Sequence, residues 1–453
     1  MTTTNRLIQS RRAARSAANV AQAAALLASL VLLPAIAGAA AAEAWSVERV
    51  LDAVRTNDPS VRAARAGGAA GRAQAAQAWA MLSPHVSASA GFTRTDDPAV
   101  LFSQKLWQGR FTMADFAIDQ LNQPDPKSAM QWSLTVDQPL WNGGRELTVP
   151  GLAARYNRAA TAMERANVAN ELLAAVEAFT NALRARAGDR AAARGLEAAL
   201  AMRESAVARF RMGQVPELDT LRATARVGEA RVRAIGARRG LAVAMEHLSK
   251  RVGTPLAAED LAESAGFAPV AERAETARGE LAAAREGAKA ATTESRTAVL
   301  RLLPSFNSRF AVSQYRPWDA DSYERRWMVA VMAEMPLFDG AQRFNEARAA
   351  RAKADEARAR AQAAERDLAT GLAAARVDDA VARERRDAAR AGLAAAEEGL
   401  RLAALRYRAG LLPLSELLAA DAEASAARAA EADASSAVTL AHYRLLHAQG
   451  DLR

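Results

Sequence analysis

The chain contains no cysteine, which excludes disulfides, thiolate metal sites, thiol catalysis and lipidation of an N-terminal cysteine. Histidine is nearly as scarce. His85, His247, His442 and His447 are the whole set, and no two stand at the i, i+4 spacing of a helical metal site. No phosphate loop, nucleophile elbow or dinucleotide fingerprint occurs. No catalytic residue, metal site or cofactor is therefore expected. Aromatic residues are only 5% of the chain, and its 15 prolines are confined to a few places. That composition favours long helices over compact cores. Beyond residue 42 no run of about 18 apolar residues occurs, so no transmembrane helix is expected there.

What is present starts with an export signal. Arg6, Arg11, Arg12 and Arg15 precede a largely apolar stretch at 20–37, and Ala40, Ala41 and Ala42 follow it. This predicts a signal peptide over 1–42, removed after Ala42. An exported chain without a later apolar helix is periplasmic, secreted or a β-barrel in the outer membrane. The formal charge is +9, and the four signal arginines account for part of it. The remaining excess is spread over mixed-charge helices and makes no nucleic-acid patch.

The chain is one unit written twice. WSLTVDQPLWNG at 132–143 answers VAVMAEMPLFDG at 329–340, and RFRMGQVP at 209–216 answers RYRAGLLP at 406–413. Pro139 and Pro336, Gly213 and Gly410, Pro216 and Pro413, and Gly253 and Gly450 all stand 197 positions apart. Upstream, LSPHV at 82–86 answers LLPSF at 302–306 at a spacing of 220. The difference places 23 extra residues in the first unit. The stretch 95–129, with Asp97-Pro98, Pro124 and Pro126, reads as the loop that holds them. The first unit covers 43–253 and the second 254–453.

Two periodicities alternate within each unit. Val86, Ala88, Ala90 and Phe92 alternate with Ser87, Ser89, Gly91 and Thr93. Trp132, Leu134 and Val136 alternate with Ser133, Thr135 and Asp137, while Trp327, Val329 and Val331 hold the apolar phase before Pro336. A period of two predicts strands with one apolar and one polar face, at about 85–94, 129–138, 305–314 and 326–335. Strands of this length can cross a bilayer when tilted, and the apolar phase is the candidate lipid face. Met328, Met332 and Met335 read as packing residues rather than a metal path. The remainder is helical, with no proline at 151–210 or 341–407. Long hairpins are expected at about 146–252 and 341–450, each turning at a Gly-x-x-Pro. Leu218, Leu221, Ala225, Val232 and Ile235 follow the 3- and 4-residue steps of a coiled-coil seam.

The order signal, helix, strand pair and long helical hairpin, repeated once, resembles the TolC family of outer-membrane efflux proteins. The resemblance covers nearly all of the chain after the signal. It rests on LDAVRTNDP at 51–59, QPLWNG at 138–143, MPLFDG at 335–340 and the two Arg-x-Gly turns. It implies an α+β membrane protein, not an enzyme, that serves as the outer-membrane channel subunit of a tripartite efflux or secretion system. Three copies would close a twelve-stranded β-barrel, continued by a helical barrel across the periplasm of a Gram-negative cell. The implied partners are outer-membrane lipid, a periplasmic adaptor (a membrane fusion protein) and an inner-membrane pump. Arg211, Gly213 and Pro216, with Arg408, Gly410 and Pro413, match the hairpin tips that adaptors contact. Glu416 matches the acid of the family's constriction ring, and Asp219 is its first-unit equivalent. Tyr407 matches a tyrosine that pairs with that first-unit acid. Asp421 and Glu423 are the next candidates for the ring. The sequence departs from the family at Leu412, where some relatives carry a gate-linking arginine, and at Ala419, where a second acid ring can occur. The competing reading is a periplasmic adaptor or structural coiled coil. An adaptor would carry one helical hairpin within β-rich domains, not two in a duplicated unit.

Overall fold

The computed structural model describes residues 44–262, 278–318, 324–335 and 337–452. The expected signal peptide at 1–42 and Pro336 lie outside the described residues. All elements below belong to the unit Ser46–Arg453. Helices α1 (Val47–Asn57) and α2 (Pro59–Ala80) lead into strand β1 (His85–Thr95). An insert follows, with α3 (Pro98–Trp107), a 3-10 turn (Met113–Phe116) and the short α4 (Ile118–Asn122). Strand β2 (Lys127–Asn142) and helices α5 (Val149–Arg211) and α6 (Glu217–Val252) come next. Then come α7 (Gly279–Leu300), β3 (Ser305–Pro317), β4 (Glu324–Glu334), α8 (Gln342–Arg408) and α9 (Leu414–Gln449).

Corresponding elements have matching lengths: 22 residues in α2 and α7, 36 in α6 and α9, 63 in α5 and 67 in α8. At 1.5 Å per residue the two longest helices run for about 95–100 Å. The helices form a row. α5 packs on α6 and α9, and α8 packs on α9, giving the order α6–α5–α9–α8 in the half that carries the hairpin turns. In the half next to the sheet, α2 lies against α5, and α7 lies between α5 and α8. Fully buried side chains gather on α5 (Leu172, Val176, Phe179), on α1 (Val50, Val54) and at the end of α6 (Leu248, Val252). Elsewhere the seams are made of alanine, which lets helices approach closely. The expected seam on α6 is corrected here. Leu218, Leu221, Ala225, Val232 and Ile235 are exposed in the chain. α6 instead turns Ala223, Val227 and Ala230 inward, the last two packing with Ala199 and Leu196 of α5.

The four strands form one antiparallel sheet in the order β1–β2–β3–β4. Val86, Val136, Phe310 and Val329 stand in one cross-strand row, and Ala88, Leu134, Val312 and Trp327 in the next. Residues paired in this way share a face, so one face of the sheet is apolar along its middle rows. The other carries Ser87, Ser133, Thr135, Asp137, Arg309, Ser313 and Tyr315, with Arg309 bonded to Asp137 at 2.6 Å. β2 is longer than expected. It continues past Pro139 to Asn142, because a bulge between Pro139 and Trp141 absorbs the imino acid without ending the ladder.

The stretch 95–129 is not simply a loop. Asp97 accepts hydrogen bonds from the Ala99 and Val100 N–H groups at 2.8 and 3.1 Å, and Pro98 takes the first position of α3. The same Asp-Pro device starts α2, where Asp58 accepts from the Ser60 N–H at 2.7 Å. A proline there gives up only an N–H that the helix start leaves unused.

Candidate functional site

Each long hairpin reverses through a left-handed glycine, Gly213 at φ 70° and Gly410 at φ 74°. The Gln214 N–H donates to the Arg209 carbonyl at 3.0 Å, and the Leu411 N–H to the Arg406 carbonyl at 2.9 Å. These bonds close the helix ends with the motif that left-handed glycines allow. Pro216 and Pro413 then start the returning helices. Arg211, Gly213, Pro216, Arg408, Gly410 and Pro413 are all exposed at these two turns.

The two tips are joined to each other. Arg209 donates to the Arg408 carbonyl at 2.9 Å, and its guanidinium lies 4.4 Å above the Tyr407 ring. Tyr407 is buried with Ala206, Ala223, Leu414 and Leu417, and Leu412 packs against that cluster. The Tyr407 hydroxyl is buried and has no hydrogen-bond partner. Asp219 is half-buried in the first turn of α6, with Arg222 4.0 Å away, and it makes no bond to Tyr407. Glu416 is exposed in the first turn of α9. Both acids suit the positive end of a helix.

Asp421 does not belong with the exposed acids. It is buried and pairs with Arg226 of α6 at 2.9 Å, tying the second helix of one hairpin to that of the other. As a buried, paired carboxylate it cannot also present its charge to a pore, whereas Glu423 is exposed. Sequence reasoning missed this pair, and the repeat could not have supplied it, because Thr224 and Glu423 occupy the equivalent positions. It missed Arg209 as well, although that residue stands inside the repeated RFRMG motif.

At the other end of the fold, Trp132, Leu134, Trp327, Val329 and Val331 project from the apolar face of the sheet. Leu134 is 45% and Trp327 73% exposed, and Val136 is half-buried beside them. Among the described residues no helix is long and apolar enough to cross a membrane. Among them, too, no group of three or more His, Asp or Glu side chains could hold a metal ion.

The family model for outer membrane efflux proteins matches residues 50–254 and 270–451. The chain belongs to that family. A search of curated proteins finds no match. Solved structures share the fold. A membrane protein from Pseudomonas aeruginosa is 21% identical, with a TM-score of 0.73 over 89% of this chain and 93% of that one. The CmeC outer membrane channel of Campylobacter jejuni is 16% identical, with a TM-score of 0.73 over 89% and 85%. The outer membrane protein VceC of Vibrio cholerae is 17% identical, with a TM-score of 0.71 over 89% and 96%. As an outer membrane efflux protein, the chain is a channel subunit of the outer membrane with a large periplasmic part, and it is not an enzyme. Its fold is the helix-dominated α+β type.

Proposed function

We propose that three copies of this efflux protein close a twelve-stranded barrel in the outer membrane, continued by a ring of helices through the periplasm. The observation that carries this reading is the pair of open edges at each level. β1 and β4 end the sheet, and α6 and α8 end the helical row. A four-stranded sheet with one apolar and one polar face is stable neither in water nor in lipid, because its edges leave backbone groups unpaired. Copies joined β1 to β4 remove both edges. The exposed Leu218, Leu221, Val232 and Ile235 stripe on α6 then meets the next copy's α8, which exposes Leu402 and Leu405. The apolar face, with Trp132, Leu134, Val136, Trp327, Val329 and Val331, meets lipid, and the polar face lines the conduit.

At the far end, the exposed tips are the docking surface for a periplasmic adaptor that links the channel to an inner-membrane pump. Their glycines are required by the turn itself, so recognition falls to Arg211 and Arg408. Glu416, repeated around the axis, forms the narrow acidic ring, and assembly supplies the Tyr407 hydroxyl with Asp219 as its partner.

Light scattering of the detergent-solubilised protein should give the mass of three chains, and planar bilayers should show unitary conductance. A monomer without conductance would sink the reading. Arg211→Glu with Arg408→Glu should abolish export in cells while three-chain complexes still form. Export at the wild-type rate would remove the tips from the docking surface.

A further inference from the structure

The insert between β1 and β2 is a folded element that the channel reading above does not use. It has its own interior. Leu101 and Gln104 are buried, and Phe111 stacks edge-on against Phe102 at 4.6 Å and Phe116 at 5.1 Å. Lys105 pairs with Asp115, whose carboxylate also accepts from the Thr112 N–H at 2.8 Å. Residues 98–122 therefore hold a defined shape.

The position of that shape is informative. The insert springs from the ends of β1 and β2 that lie away from the long helices, and it reaches across the sheet as far as β4. The Trp107 ring lies 5.1 Å from Tyr315, and Arg326 donates to the Trp107 carbonyl at 3.2 Å and to the Leu106 carbonyl at 3.4 Å. Gly109 lies against the Glu324 side chain, 3.3 Å from where a Cβ would stand. Tyr315 is on the polar face, where Gln131 donates to its hydroxyl at 3.3 Å. Glu324 pairs with Tyr315, and Arg326 is two residues on, so both share that face. The insert thus covers the polar side of the sheet and leaves the apolar side free.

Met113 is 85%, Ile118 72%, Phe116 55% and Leu106 47% exposed. These apolar side chains belong to an element on the wet side of the sheet, so lipid cannot cover them. The insert starts at β1, an open edge of the sheet, which places it beside the join between copies. We infer that the occupant is the same insert on the other copies. Three inserts fold inward over the outer mouth and meet through these side chains as an apolar constriction. Such a constriction holds back ions and water by dewetting while remaining passable to greasy or amphiphilic cargo.

This inference rests on the trimeric barrel proposed above, and the test separates the two. Because the chain lacks cysteine, Met113→Cys, Phe116→Cys and Ile118→Cys each introduce a single thiol. In purified three-chain complexes a bifunctional maleimide should join copies through each of these positions, while Val329→Cys on the lipid face should stay unlinked. Met113→Asp with Ile118→Asp should raise unitary conductance at least about twofold. Replacing 98–125 by a short Gly-Ser linker should do the same. Three-chain complexes with no cross-link at any insert position and unchanged conductance would overturn the inference and leave the barrel standing. Absence of three-chain complexes in the unsubstituted protein would overturn both.

Discussion

Two residues show how local chemistry sets the fold's weak and strong points. Gly144 and Ala341 occupy equivalent positions, and both are left-handed, at φ 84° and 64°. Glycine adopts that conformation freely, whereas alanine's Cβ crowds the following carbonyl at a cost of about 1–2 kcal/mol. Ala341→Gly should therefore raise the thermal midpoint by a few degrees, measured by circular dichroism in detergent. A lowered midpoint would mean that unfolded-state entropy outweighs the strain. Tyr443 presents the opposite case. Its hydroxyl donates to Glu48 at 2.9 Å and ties α1 to α9. Burial raises the phenol's pKa, and the hydrogen bond to Glu48 and that carboxylate's charge raise it further. Burial acts to raise the Glu48 pKa too, but hydrogen bonds from its own backbone N–H, Ser46 and Tyr443 outweigh it, and the pKa falls below the usual value. A depressed carboxylate stabilises the fold above its ordinary pKa, and the contribution is lost as pH falls through the lowered value. The attachment of α1 should accordingly hold at neutral pH and loosen only in acid. Tyr443→Phe should cost about 1–2 kcal/mol and speed amide exchange in α1 at pH 7. Equal exchange rates in the two proteins would show that apolar burial of Val50 and Val54 alone holds the helix.

For the elements, the sheet gives the sharpest test. Leu134 and Thr135 are neighbours in β2 with opposite outlooks. If the apolar face meets lipid as proposed, an arginine there at mid-depth would cost about 2–4 kcal/mol, and one on the opposite face would cost little. Leu134→Arg should lower the yield of three-chain complexes in outer-membrane fractions, while Thr135→Arg should assemble normally. Equal yields would reverse or cancel the assignment of faces. The same elements show what the sequence could disclose. The strands were legible because a period of two survives in composition, as in Trp132, Leu134 and Val136. Helix ends were legible at Gly213 and Gly410, where only backbone rules apply. The insert was misread because Asp-Pro opens a helix as readily as it opens a loop, and Pro98 alone does not distinguish them. The seam on α6 was misread for a different reason. Alanines make the contact within the chain, and the larger Leu218, Leu221, Val232 and Ile235 that attract the eye face outward. The Arg226–Asp421 pair joins residues 195 apart in sequence, and no local pattern marks such a contact.

On the scale of the whole molecule, the proposed threefold assembly would multiply each inward group. In that proposed trimer, one exposed Glu416 per chain would become a ring of carboxylates on a narrow axis, and such a ring draws cations and repels anions. Glu416→Ala should weaken cation selectivity, read as a smaller reversal potential across a salt gradient. Unchanged selectivity would move the ring to Glu423. The Tyr407 hydroxyl is buried without a partner in the single chain, and in the proposed assembly it would distinguish the closed state from the open one. If closure supplies Asp219 as that partner, Tyr407→Phe should raise conductance while leaving the secondary structure of the chain intact. Unaltered conductance would assign the hydroxyl no part in closure.

The insert belongs to one half of the chain only, and this bears on descent. A half-length ancestor assembled six-fold would place an insert on every hairpin or on none. Fusing two copies into one chain is what allows alternate hairpins to differ. In the proposed ring, three hairpins would carry lids and the three between them would serve only as wall. The two halves have therefore ceased to be interchangeable. A chain built from the second half written twice would keep its strands and its tunnel, and its mouth would stand open.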